Sequence, residues 1–140
     1  MKKINPTIIL VRPQLPQNIG MTARVMDNFG LSKLYIVNPR DCWPSKIAEN
    51  SAKHAKNIIK KIKNFTSLEE AVSKFNLVIA TTNRKRFLTK KTYNNFSDLK
   101  KKIINFKDTA ILFGPENSGL SNHDLRLANY IFTIKTSSLN

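Results

Sequence analysis

Apolar residues along the chain alternate between short continuous runs and segments with helical spacing. The runs are rich in β-branched side chains and predict buried strands at 7–12, 34–37, 77–80, 109–113 and 130–134. Helical spacing and N-cap patterns predict the intervening helices: Asn18 to Gly30, Ser45 to about Lys56, Ser67 to about Phe75, Ser97 to Ile104, and one beginning at Ser121. Continuous apolar strands are typical of sheets covered on both faces. The pattern therefore predicts one α/β domain with a mostly parallel sheet and helices on both faces.

The first predicted helix carries two polar residues of interest. Ile19, Ala23 and Met26 recur at helical spacing, and Gly30 is placed to end the helix. Asn18 then lies at the helix N-terminus, where free N–H groups favour anions. Arg24 lies near the edge of the packed face. On this segment alone, a helix cap and a surface charge account for both residues.

Two predicted strands end in polar segments. The strand 109–113 runs into a loop with Gly114, Glu116 and Gly119, and the strand 77–80 runs into Thr81 and Thr82. Ligands bind at the carboxyl ends of strands in open α/β sheets, so both loops are in the right place for a site. The two glycines permit close approach of the backbone to a ligand. An ordinary strand–helix connection also accounts for the first loop.

Charge adds information about the partner. The chain of 140 residues has 24 basic and nine acidic residues, a net charge of +15, which suggests a nucleic acid. Eighteen of the basic residues are Lys, so AT-rich coding is an alternative explanation. No apolar run approaches the roughly 20 residues of a membrane span, and no metal-ligand cluster is evident. The single cysteine fits a reducing cytoplasm.

Three motifs, in order along the chain, resemble those of one enzyme family. They are Asn18-Ile-Gly20 with Ala23-Arg24, then Phe113 to Asn122 (FGPENSGLSN), then Ser137 to Asn140 (SSLN). Together they resemble the SpoU/TrmH branch of the SPOUT RNA methyltransferases, and the flanking segments are most similar to the TrmJ-type tRNA 2′-O-methyltransferases. A nucleotide-binding protein of flavodoxin or Rossmann type is disfavoured, since no Gly-x-Gly-x-x-Gly follows the first strand.

The resemblance implies a reaction and its partners. It implies S-adenosyl-L-methionine as methyl donor, a ribose 2′-hydroxyl as acceptor, and tRNA as the RNA, with the anticodon loop as the expected target. It also implies a trefoil knot, a homodimer with the active site at the subunit interface, and a cytoplasmic enzyme that needs no metal.

Site residues follow from the same resemblance. Arg24, Asn18 and Asn140 match the catalytic positions, with Arg24 acting as base or as an electrostatic clamp on phosphate and alkoxide. The expected cofactor-binding residues are Thr81, Thr82, Gly114, Glu116, Gly119, Ile134 and Ser138.

One departure from the family concerns the C-terminus. Family members continue past the third motif into a helix that completes the knot, covers the cofactor and packs in the dimer interface, whereas this sequence ends at Asn140. The expectation is a single methyltransferase domain over 1–140, truncated at the C-terminus, with an incomplete knot and weak cofactor binding. The alternative is a non-catalytic RNA-binding remnant of such an enzyme.

Overall fold

The computed structural model describes residues 4–83 and 90–134. Its strands are β1 (Thr7–Val11), β2 (Leu34–Val37), β3 (Lys63–Phe65), β4 (Leu77–Thr82), β5 (Thr92–Tyr93), β6 (Thr109–Phe113) and β7 (Tyr130–Thr133). Its helices are α1 (Pro16–Asn28), α2 (Lys46–Ser51), α3 (Lys56–Lys60), α4 (Leu68–Val72), α5 (Phe96–Ile103) and α6 (Asn122–Arg126). A 3-10 turn, Lys53–Ala55, joins α2 to α3.

All strand pairs are parallel, in the order β3-β2-β1-β6-β4-β7-β5. The chain first adds β2 and β3 on one side of β1, then crosses to build the other side, where β6 lies between β1 and β4. Ile9 of β1 is in register with Tyr35 on one side and Leu112 on the other. Because the strands are parallel, their carboxyl ends meet at one edge of the sheet, where loops distant in sequence come together.

Alternate residues of each strand serve two cores. Ile8 of β1 packs under α1, α2 and α3, and Ile79 of β4, on the same face, packs under α5. Ile9 and Val11 face the opposite side, with α4 and α6. Helices therefore cover both faces of one α/β domain, as predicted, because a strand with period-two side chains buries both sets only when both faces are covered.

The five predicted strands are confirmed, and two short strands were missed. β3 begins at the end of a lysine-rich segment, and β5 has only two residues. Both strands lie at edges of the sheet, and neither has an apolar run of its own. Their strand conformation comes from pairing with β2 and β7.

Helix starts were predicted better than helix ends. Ser45, Ser67 and Ser121 each cap the predicted helix, but the segment after Ser45 breaks at Ser51 and α4 ends at Val72. α1 begins two residues before the predicted Asn18, because Pro16 occupies the first helical position. Gly30 follows α1 with a φ of +75°, which confirms it as the stop. The trefoil knot remains a prediction, since residues 135–140 lie outside the described part of the chain.

Candidate functional site

A cavity of about 280 Å³ lies at the carboxyl ends of β4, β6 and β7. Six residues predicted to bind the cofactor line it, from three segments far apart in sequence: Thr81, Thr82, Gly114, Glu116, Gly119 and Ile134. Asn83, Pro115, Asn117 and Ser118 complete the lining. This edge of a parallel sheet is where α/β folds bind ligands. The fold thus brings together every predicted cofactor residue that the structure describes.

The two threonines at the end of β4 differ in what they offer a ligand. Thr81 is buried, and its hydroxyl donates a hydrogen bond of 2.7 Å to the carbonyl of Leu112 in β6. That bond joins the two strands under the cavity, so the hydroxyl proton is already used. Thr82 is half-buried on the same rim. Thr81 therefore supports the cavity floor more than it offers a donor to a ligand.

The two glycines of the loop after β6 serve the loop itself. A Cβ at Gly114 would lie against the backbone of Gly119 and Leu120, so only glycine lets the loop close on itself. Gly119 has a φ of +70°, and its N–H donates to the carbonyl of Pro115 at 2.8 Å. Closure of the loop on itself therefore explains why position 114 needs glycine, as in the ordinary strand–helix connection considered above, and Gly114 also lines the cavity.

Glu116 connects the cavity loop to α1. Its carboxylate accepts the backbone N–H groups of Gln14 and Leu15, each at 3.1 Å. Leu15 is the N-cap of α1 and has no side-chain acceptor, so a residue about 100 positions away supplies the negative group that the helix start favours. The carboxylate therefore sets where α1, with Asn18 and Arg24, begins relative to the cavity.

An ion pair fixes the turn that precedes α1. Arg12 has a φ of +49°, and its guanidinium donates two hydrogen bonds to Asp124 of α6, at 2.6 and 3.2 Å. Asp124 is buried and also accepts the backbone N–H of Ser121 at 2.8 Å. Burial acts to raise the pKa of Asp124, but the hydrogen bonds from Arg12 and Ser121 outweigh it and the pKa is lowered. The bond to Asp124 raises the pKa of Arg12, so the pair is charged at neutral pH.

Sequence reasoning assigned no role to Arg12. Its only signals were its place at the end of the first strand, directly before Pro13, and its position in one of the flanking segments that are similar to the TrmJ-type enzymes. The capping-box pattern of Ser121 and Asp124 was recognised and is confirmed, but a capping aspartate is usually exposed. Only the fold shows that this one is buried and paired.

Asn18 and Arg24 lie on α1 and do not line the cavity. Asn18 is half-buried in the first turn, and its carbonyl accepts the hydroxyl of Thr22 at 2.8 Å. Arg24 is exposed and borders an apolar stripe of Met21, Val25 and Phe29, whose exposed fractions are 52, 55 and 78%. Within one chain, the described structure keeps the predicted catalytic arginine apart from the cavity wall. The remaining predicted residues, Ser138 and Asn140, lie outside the described residues.

Across residues 4–83 and 90–134 no three His, Cys, Asp or Glu side chains gather as metal ligands. Nor does any helix within them have both the length and the apolar character that crossing a bilayer requires.

Comparison with known proteins identifies relatives of the whole chain. Residues 5–140 match the model of the SpoU rRNA Methylase family. The chain is 33% identical over 135 residues to the tRNA (cytidine-2′-O-)-methyltransferase TrmJ of Methanocaldococcus jannaschii, covering 94% of this chain and 58% of that protein. The crystal structure of TrmJ from Z. mobilis ZM4 superposes with a TM-score of 0.90 at 41% identity, over 96% of this chain and 60% of that one.

A more distant structure shares the fold. It is the SpoU methyltransferase AviRb from Streptomyces viridochromogenes in complex with the cofactor AdoMet, with a TM-score of 0.68 and 20% identity, over all of this chain and 55% of that one. The chain thus spans rather more than half the length of each of these three proteins.

Proposed function

The chain belongs to the SpoU rRNA methylase family, and we propose that it transfers a methyl group from S-adenosyl-L-methionine to a ribose 2′-hydroxyl of tRNA. One observation carries the proposal: six residues that the family resemblance predicted to bind the cofactor line a single cavity at the ligand-binding edge of the sheet. The similar TrmJ of Methanocaldococcus jannaschii is named as a tRNA (cytidine-2′-O-)-methyltransferase, which favours tRNA as substrate and with it a cytoplasmic reaction.

The cavity residues fit this cofactor. Thr82, Asn83 and Asn117 present hydroxyl and amide groups on the rim, and Ile134 presents an apolar side chain suited to an adenine face. The volume of about 280 Å³ lies just under the range of about 300–1,000 Å³ that small-molecule pockets occupy. The family member AviRb binds AdoMet on the same fold. When bound, the cofactor supplies a methyl group on a sulfonium, which is already a good leaving group.

Arg24 serves the acceptor side of the reaction. A guanidinium stays protonated in proteins and has five donors and no acceptor, so it is better suited to hold a phosphate and a developing alkoxide than to remove a proton. Such preorganised donors typically contribute about 100- to 1,000-fold in rate. Asn18, in the first turn of the same helix, is the second α1 residue that the family resemblance assigns to the acceptor ribose.

A second copy of the chain would explain why Arg24 lies outside the cavity of its own chain. The apolar stripe of Met21, Val25 and Phe29 is exposed beside Arg24, and exposed apolar patches mark interaction sites. We infer that the stripes of two copies pack together, so that Arg24 of one copy reaches the cavity of the other. Phe29→Ser should then give a monomer in analytical ultracentrifugation, whereas Phe106→Ser, at another exposed phenylalanine, should not.

The central experiment separates cofactor binding from methyl transfer. S-adenosylhomocysteine binding is measured by calorimetry, and transfer of labelled methyl groups to tRNA by scintillation, for the wild type and Arg24→Ala. Arg24→Ala should bind the cofactor normally, because Arg24 acts on the acceptor and does not line the cavity of its own chain, and lose about 100-fold or more in transfer. Arg40→Ala is the matched control, since Arg40 is exposed and pairs only with its neighbour Asp41 among the described residues.

Two results would contradict the proposal. Normal transfer by Arg24→Ala would remove Arg24 from the mechanism. Absence of both cofactor binding and transfer in the wild type, with tRNA still bound, would favour the non-catalytic RNA-binding alternative.

A further inference from the structure

A groove of about 850 Å³ opens at the edge of the sheet opposite the candidate active site. It lies where β1, β2 and β3 begin, between Thr7, Lys33 and Lys63, and α4 forms one wall. The motifs that carried the family resemblance contribute nothing to it. It is therefore a separate surface of the domain.

Aromatic rings form the floor of this groove. Tyr35 contacts Phe65, with ring centroids 5.2 Å apart, and Phe75, with centroids 5.8 Å apart in an edge-on arrangement. All three rings are half-buried, so they keep surface that solvent reaches. The packing of Tyr35 against both phenylalanines fixes its position before any ligand arrives.

Lysines surround the aromatic floor. Lys33, Lys61, Lys63 and Lys74 line the groove and are all exposed, against two carboxylates, Glu70 and Asp108. The excess of two positive charges adds to a chain whose net charge is already +15. The Lys63 ammonium lies 5.6 Å from the centre of the Tyr35 ring, a cation–π contact that a flexible side chain can exchange for a phosphate.

We propose that this groove binds a single-stranded segment of RNA, with its phosphates on the lysines and a base against the Tyr35, Phe65 and Phe75 rings. A basic groove with an aromatic floor is the arrangement that single-strand binding proteins use. The proposal rests on the proposed function only for the choice of RNA as the polyanion. A protein segment with an apolar face would instead desolvate four lysines against two carboxylates.

The groove and the cavity are close enough for one RNA to occupy both. β1 has five residues, so the two edges of the sheet are about 17 Å apart along a strand. An RNA held in the groove would add affinity while its target ribose lies at the cavity. The groove thus increases binding, and the active-site loops choose the nucleotide.

The test compares two triple variants with the same change in charge. Lys33→Gln, Lys61→Gln and Lys74→Gln together remove groove lysines, while Lys56→Gln, Lys100→Gln and Lys101→Gln remove exposed lysines of α3 and α5 that do not line the groove. The probe is a fluorescein-labelled oligouridylate of about 12 nucleotides, a length within known single-strand site sizes. Its binding is followed by fluorescence anisotropy across a range of salt concentrations.

Each phosphate contact contributes about 0.7 to the salt slope for single strands, so the groove triple should lose about 2 from the slope and about 100-fold in affinity at 0.1 M salt. The control triple should lose less than about 0.2 from the slope and less than about 10-fold in affinity.

Phe75→Leu should weaken binding by about fivefold or more through lost stacking, with Phe106→Leu as its control. Equal losses in both triples, or no loss in either, would overturn the proposal.

Cofactor binding on the same proteins keeps this proposal distinct from the proposed function. If S-adenosylhomocysteine fails to bind but the groove triple still weakens RNA binding selectively, the groove stands and the enzymatic assignment falls. If cofactor and methyl transfer are normal and the groove triple binds RNA as tightly as the control triple, the groove proposal alone falls.

Discussion

Replacing Glu116 tests whether one carboxylate holds the cavity loop and α1 together. Glu116→Ala removes the acceptor for the N–H groups of Gln14 and Leu15 at the start of a helix whose N-cap residue cannot cap it. Loss of an N-cap acceptor costs about 1 kcal/mol, and loss of a negative charge at a helix N-terminus adds about 0.3–1 kcal/mol. Because the site is exposed, water replaces part of the lost bonding, and we expect the free energy of unfolding to fall by about 1–1.5 kcal/mol.

The assay is thermal unfolding followed by circular dichroism, with three variants. For a domain of this size a loss of about 1–1.5 kcal/mol lowers Tm by about 4–5 °C. Glu116→Gln keeps one acceptor oxygen and loses the charge, so it should lose about half as much. Asn117→Ala is the control, because the Asn117 side chain is exposed in the same loop and has no hydrogen bond within the described part of the chain.

A second readout addresses the site. Since Glu116 lines the cavity and its carboxylate also sets where α1 begins, Glu116→Ala should weaken S-adenosylhomocysteine binding and methyl transfer more than it weakens binding of RNA to the groove. If Glu116→Ala unfolds at the same temperature as Asn117→Ala, the carboxylate does not stabilise α1 and the coupling of loop to helix is refuted.

Three further changes probe the framework. Arg12→Ala leaves the buried Asp124 carboxylate without its cation, so the free energy of unfolding at about pH 7 should fall by about 2–3 kcal/mol in urea, and an unchanged midpoint would contradict the pairing. The pKa of Asp124 is lowered in the folded state, so in the wild type this carboxylate stabilises the fold above its unfolded pKa of about 3.9. That stabilisation is lost as the pH falls through the folded-state pKa. Arg12→Ala should therefore make the free energy of unfolding depend less steeply on pH in the acid range. Gly20→Ala should lower the free energy of unfolding by about 2–3 kcal/mol, because a Cβ there meets Ala48, Ser51 and Ala52 of the α2 segment. Gly30→Ala has open space for the Cβ but a φ of +75°, so it should cost about 1 kcal/mol. Equal losses in the two variants would refute the close packing of α1 on α2. Thr109→Val should raise the unfolding midpoint, since the buried Thr109 hydroxyl has no hydrogen-bond partner among the described residues and valine matches its shape, and a lower midpoint would indicate that the hydroxyl is satisfied.

Sequence patterns predicted correctly the features that depend on residues a few positions apart. The strands with long apolar runs, the serine caps and the glycine after α1 were all found where expected, because periodicity, capping and a positive φ depend on residues within a few positions of each other. β3 and β5 were missed because short edge strands take their conformation from a neighbour. The break after α2 was missed for a related reason: packing against α1 decides where those helices end.

For the site, the motifs identified the cavity residues but not the role of each one. Gly114 is needed because a Cβ there would meet the backbone of its own loop. The Thr81 hydroxyl donates its hydrogen bond to the neighbouring strand β6. The bonds from Glu116 to the start of α1 and from Arg12 to Asp124 join residues more than 100 positions apart, so no local pattern contains them.

The sequence by itself determined the alternation of strands and helices, the strongly basic character and the motifs that mark one family. Those properties depend on residue type and short spacings. Only the tertiary structure decided which strand ends meet at the cavity, that Arg24 lies beside an apolar stripe instead of inside that cavity, and that lysines and rings from separate elements form a groove at the far edge. Strand order sets these placements, and strand order depends on which apolar faces pack best across the whole chain.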